Sequence, residues 1–186
     1  MRGYNAGLML RLSPVLLAAG LAACSAVEVD PLSLPLDRMN PEGRRQAEHV
    51  LADVAAAVPL EGSVVRSRLE VFDFLLDEMP FTGAVVRTLG RGSWQISRDP
   101  ERPAPGIFTV FDPGGYTLRF ELLLKEARRR VYVTSGSFDM GIFPVLRGST
   151  LIIMSHEPVP EGVATRALVH VRVETPFYAG LAKGFR

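Results

Sequence analysis

From Ser93 onward apolar side chains recur at every second position, and this period constrains the fold more than any other feature of the chain. Tyr116, Leu118, Phe120, Leu122 and Leu124 share one face, while Thr117, Arg119, Glu121 and Lys125 share the other. A period of two belongs to a strand with one side against a core. Val163, Thr165, Ala167, Val169, Val171 and Val173 repeat the pattern within residues 163–174. Shorter runs occupy residues 93–97, 107–111, 130–138 and 150–156. Asp112-Pro113-Gly114-Gly115 is a turn tetrad, and Pro158 and Pro160 mark another turn. Successive strands joined by short turns pair antiparallel.

Ahead of the sheet the period becomes helical. Asn40-Pro41 supplies an N-cap and a proline at the first helical position. Ala47, Val50, Leu51, Val54 and Val58 then fall on one face, opposite Arg44, Arg45, Glu48 and Asp53, and Pro59 is the stop. This predicts an extra amphipathic helix within residues 40–60. A short strand is expected at 62–66. Ser67-Arg68-Leu69-Glu70 fits a capping box, and Leu69, Phe72, Leu75, Leu76 and Met79 carry a helix as far as Pro80. Phe81, Val85, Val86 and Leu89 predict a second helix closed by Gly90 at its C′ position. Thr175-Pro176 opens a short C-terminal helix holding Phe177, Leu181 and Phe185. The expected class is α+β, with an antiparallel sheet of about seven strands packed on helices.

The N-terminus reads as an address. Arg2 and Arg11 precede an apolar run at 12–23 that is interrupted by Ser13, Pro14 and Gly20. Such a run is too short for a hydrocarbon core about 30 Å thick and has the layout of a secretory signal. Leu21-Ala22-Ala23-Cys24 resembles the lipobox of bacterial lipoproteins at all four positions. The resemblance implies removal of residues 1–23, lipidation of Cys24 on sulfur (palmitate or a similar chain) and acylation of the new N-terminus. Two or three chains make a stable anchor, since each buried CH₂ adds about 0.8 kcal/mol. The alternative is an ordinary signal with a chance cysteine, but a free lone thiol would be a liability in an oxidising compartment. Ser25, standing where an Asp would signal inner-membrane retention, implies the periplasmic face of the outer membrane. Residues 24–39 hold Pro31 and Pro35 without a helical period and read as a tether. Leu32, Leu34 and Leu36 alternate, which leaves open a clip against the domain at 61–186.

Charge narrows the partners. Lys and Arg number 21 against 20 Asp and Glu, a formal charge of +1 that falls to −1 once Arg2 and Arg11 leave with the signal. Nucleic-acid binders show a clear basic excess, so no nucleic-acid partner is expected. An apolar fraction of 47% excludes a disordered chain.

The element order resembles the START-like helix-grip fold, also called the Bet v 1-like or SRPBCC superfamily. The likeness is carried by residues 62–90, read as a strand and paired helices, by the six following strands, and by the ending VRVETPFYAGLAKGF. It implies a curved sheet around a C-terminal helix and an apolar cavity for lipids or similar ligands. Two departures bear on cavity size. The last helix is limited to about three turns, and the helix at 40–60 is an addition that could cover the open part of the sheet.

Few residues carry catalytic chemistry. His49, His156 and His170 stand apart in the sequence, with His170 expected on an outward polar face beside Arg166, Arg172 and Glu174. No HExxH or CxxC spacing and no GxSxG elbow occurs, and one cysteine cannot build a four-cysteine zinc site. Neither cofactor, metal nor enzyme activity is expected, a cyclase or hydratase being the remote alternative. Aromatics dominate the predicted sheet. Trp94, Phe108, Tyr116, Phe120, Tyr132, Phe143 and His156 are the candidate ligand-binding residues, or else simple core. The broken apolar segment 138–147 reads as either a buried crossover or an exposed lid. The expected function is a membrane-anchored envelope lipoprotein that binds a hydrophobic small molecule or lipid. The alternative is a structural or protein-interaction lipoprotein with a filled core.

Overall fold

Alternation becomes seven strands in one antiparallel sheet. The computed structural model describes residues 34–139 and 145–176. The signal, Cys24 and the first part of the tether, Phe143 with the middle of segment 138–147, and the helix bearing Phe177, Leu181 and Phe185 lie outside the described residues. The strands are β1 (Ala56–Val65), β2 (Gln95–Arg98), β3 (Ile107–Asp112), β4 (Tyr116–Glu126), β5 (Arg129–Phe138), β6 (Leu146–Val159) and β7 (Gly162–Val173). Their order is β1-β7-β6-β5-β4-β3-β2. Among the described residues they are accompanied by α1 (Pro41–Leu51), α2 (Leu69–Asp77) and α3 (Met79–Thr88). Edge strands β1 and β2 are joined in the chain by α2 and α3. The first of these helices packs on β7 and the second on β2, so the pair spans one side of the sheet.

Local chemistry explains most boundaries. The Asn40 side chain accepts a hydrogen bond from the Gly43 N–H at 2.7 Å and caps α1, a contact that contributes about 1 kcal/mol. Gly90 ends α3 at φ +64°, the left-handed conformation that closes helices. Gly115 sits at φ +107° where the β3–β4 turn begins its return, with its N–H on the Asp112 carbonyl. Gly83 is required for a different reason: a Cβ there would lie 2.8 Å from the Ile96 side chain, so α3 approaches β2 only without one.

Three expectations change. First, α1 stops at Leu51 rather than reaching Val58. Ala55 donates to the Val171 carbonyl, and Ala56 and Val58 pair with Val171 and Val169. A long-range ladder outweighs the helix propensity of this alanine-rich stretch, and Pro59 is tolerated because β1 is an edge. Second, no capping box forms at α2. Arg68 occupies the N-cap position, and the Ser67 hydroxyl donates to the Arg68 carbonyl instead. Third, residues 34–39 follow the clip alternative rather than the tether: Leu34 and Met39 are buried against the domain around a 3-10 turn at Leu36–Arg38. The ends of segment 138–147 lie in neighbouring strands, and its middle, the expected crossover or lid, lies outside the described residues. Phe138 pairs with Leu146, so the ends belong to the antiparallel β5–β6 pair.

The sheet is covered on both faces. Ala47 and Val50 of α1 are fully buried against Val131, Leu151 and Leu123, together with Leu34 and Met39. Each fully buried Val or Leu contributes roughly 1.5–3 kcal/mol. A bulge after Leu122 supports this packing. Leu122 faces Tyr132, while Leu124 faces Val131. Leu124 therefore joins Leu123 under α1 and leaves the face of Tyr116, Leu118, Phe120 and Leu122. On the opposite face lie Phe108, Val110 and Tyr132, with Met79 at the start of α3. The extra helix thus covers the back of the sheet, not its open part, because Ala47 and Val50 match a dry aliphatic surface there.

Candidate functional site

The two faces differ in character. Under α1 four core residues, Ala47, Val50, Val131 and Leu151, have zero exposure. On the α2–α3 face, Phe108, Val110 and Tyr132 keep 5–8% exposure, and around them Trp94, Ile96, Leu118, Phe120, Leu122, Ile152 and Met154 are only half buried. Four predicted residues meet here. The Phe108 and Phe120 rings stack at 5.1 Å and 11°, Tyr132 meets Phe108 edge-on at 6.3 Å, and Trp94 joins the same cluster. Trp94, just ahead of β2, donates its indole N–H to the Tyr116 hydroxyl at 3.1 Å, and Tyr116 leans on Phe138 at 6.0 Å. Burial pushes the Tyr132 hydroxyl up to about 12 and raises that of Tyr116, so both stay protonated donors at neutral pH.

His156 is elsewhere on this face. It lies near the C-terminal end of β6, against the Phe72 ring at 5.3 Å, with its side chain fully buried. Its Nε2 is 3.0 Å from Asp73 Oδ1 on α2. The same oxygen accepts from the Arg130 guanidinium at 2.9 Å. Arg130 is 2% exposed and also donates to the Glu126 carbonyl. Asp77, one turn after Asp73, lies 3.8 Å from Arg130 and takes the Lys125 ammonium at 2.7 Å. Next to this network is an open depression of about 410 Å³ lined by Asp73, Asp77, Lys125, Glu126, Ala127 and Arg130. A half-buried carboxylate shared by a buried imidazole and a buried guanidinium can fix a helix, and here it ties α2 to β5 and β6. Neither Asp73 nor Arg130 stands out by motif. The available signal was period: Arg130 precedes Tyr132 and Thr134 on one face of β5, placing a cation in an inward column.

Arg119 is apart from the aromatic cluster and pairs with Asp99 at 2.8 Å. The Asp99 carboxyl is held below its usual range by the Arg102 backbone N–H, assisted by the Glu101 N–H and by Arg119. His49 is exposed and faces Glu174 at 3.7 Å. Among the described residues no three His, Cys, Asp or Glu side chains gather as a metal would need, and no helix is long and apolar enough to cross a membrane.

His170 departs from expectation. It is 1% exposed, not outward in water, because it shares the Leu151 side of the sheet that α1 covers. Its Nδ1 has no hydrogen-bond partner among the described residues, and burial lowers its pKa. The folded chain therefore keeps His170 neutral, while the unfolded chain takes up a proton near pH 6.5. Stability present above that pH is lost as pH falls through it and on toward the depressed folded value. Replacing His170 with leucine should flatten the fall in urea midpoint between about pH 7 and pH 5; an unchanged slope would assign the acid sensitivity to another group.

The chain matches no known family profile and no curated protein. Solved structures that align with it include two distant ones. DynU16, a protein of the dynemicin biosynthetic locus, is 19% identical over 69% of this chain, with a TM-score of 0.34. The alignment spans 42% of that protein, so this chain corresponds to less than half of it. An uncharacterized protein from Rhizobium leguminosarum is 12% identical over 70% of this chain and 88% of its own, with a TM-score of 0.36. Likenesses this distant leave the site to be argued from its own geometry.

Proposed function

We propose that this chain is a lipid-anchored envelope lipoprotein whose START-like helix-grip domain binds a hydrophobic small molecule or lipid on the α2–α3 face, without catalysis. The carrying observation is the contrast between faces. On the α1 side Ala47, Val50, Val131 and Leu151 are sealed from solvent with five partly buried apolar side chains beside them, whereas on the α2–α3 face no core residue is fully sealed and eight apolar side chains around Phe108, Val110 and Tyr132 are only partly buried. Ligand sites are lined by apolar and aromatic side chains with a few fixed polar groups; the partly buried aromatics of this face supply the first and the Trp94–Tyr116 pair the second. Cys24 in its lipobox is the anchor, and the periplasmic face of the outer membrane is the site of action.

A second reading, an interaction lipoprotein with a filled core, is favoured by the stacked Phe108–Phe120 pair, which satisfies its own surface. One preparation tests both. Bacteria expressing the full chain are fed a clickable fatty acid, and the mature protein is weighed by native mass spectrometry. Label that disappears in Cys24→Ala, together with an extra apolar mass released by organic solvent, is the expected result. A labelled protein of bare polypeptide-plus-anchor mass selects the filled core. Absence of label removes the anchor.

A further inference from the structure

We propose that the β4–β5 end of the sheet is a docking surface for anionic lipid headgroups of the bilayer that holds the chain; the proposal rests on the lipid-anchor reading above. Arg128 and Arg129, at the β4–β5 turn, and Arg166 of β7 line a depression of about 300 Å³ with Glu126, Ser155 and Glu157. Arg128 and Arg166 are exposed, and among the described residues neither side chain has an acidic partner. Glu126 is already engaged by Arg38 at 2.7 Å, with Arg129 at 3.9 Å. Three arginines therefore line the depression with two glutamates, one of which Arg38 neutralises. A guanidinium matches a phosphate through two parallel N–H bonds, and headgroup phosphates present that acceptor in bulk.

Chain continuity selects the bilayer as the partner. Arg38 follows buried Leu34 by four residues, and Leu34 follows Cys24 by ten. Ten extended residues reach at most about 35 Å. The tether thus leaves the domain beside the arginine end, and basic groups held near an anionic leaflet are drawn to it over roughly a Debye length. The Phe138–Leu146 pair of β5 and β6 is at the other end of the sheet, away from the membrane in this orientation.

The test places the mature full chain in vesicles of phosphatidylcholine, or of phosphatidylcholine mixed with phosphatidylglycerol, and follows amide exchange. Peptides covering 126–130 and 155–166 should exchange about tenfold more slowly on the mixed vesicles. The difference should vanish in high salt and in Arg128→Glu/Arg166→Glu. Arg128→Gln/Arg166→Gln should show an intermediate difference, and an unchanged urea midpoint in both variants shows that folding is intact. Equal exchange on both vesicles, or protection at 138–147 instead, overturns the proposal. Fatty-acid label on Cys24 is read separately. A labelled chain with equal exchange keeps the anchor and loses the patch, whereas an unlabelled chain with selective protection keeps the patch and loses the anchor.

Discussion

Replacing Asp73 with alanine is expected to lower stability by about 3 kcal/mol, a shift of about 1–2 M in urea midpoint. One carboxylate oxygen serves both Arg130 and His156, and both are almost completely buried. Removing it leaves the buried guanidinium with only the longer 3.8 Å contact to Asp77 in a place water barely reaches, which costs more than the pair contributes. Asp73 itself is 29% exposed, which places the loss at the lower end for a buried pair. A double replacement, Asp73→Leu with Arg130→Met, should recover most of the loss, because it removes the stranded charge as well. Lys125→Ala is the control. Its pair with Asp77 is at the surface and should change stability by no more than about 0.5 kcal/mol. Equal losses for Asp73→Ala and Lys125→Ala would show that the trio is not a structural tie.

Phe108→Ala is expected to cost about 3–5 kcal/mol. The ring is 5% exposed, stacks on Phe120 and receives the Tyr132 edge, so truncation leaves a void that three strands must collapse to fill. Phe111, three residues on in the same strand, is 45% exposed, and its alanine variant should stay within about 0.5 kcal/mol of the parent. Thermal or urea unfolding of the two variants decides the matter. Near-equal midpoints would mean that the aromatic face is not part of the folding core.

Strands were legible where alternation met a turn signal. Tyr116–Leu122 after the Asp112–Gly115 tetrad, and Val163–Val173 after Pro160, need only their own residues to show which side is apolar. The aromatic cluster was legible for the same reason: Phe108, Phe120 and Tyr132 all fall on inward positions of predicted strands. The charged trio was not, because Arg130 and Asp73 are 57 positions apart and His156 is 83 from Asp73. No motif links them until α2 lies across β5 and β6.

Periodicity, turn residues and the lipobox are properties of neighbouring residues, and from them follow the α+β class, the antiparallel pairing and the expectation of an anchor. Docking decided the rest. β7 offered Ala55–Val58 a ladder and shortened α1, and α1 then covered the back of the sheet, turning His170 from a polar surface residue into a buried neutral one. A chain segment's preference for helix or strand is worth tenths of a kcal/mol per residue. Burying a face removes whole side chains from water at a kcal/mol or more each, so where the two disagree the tertiary contact prevails.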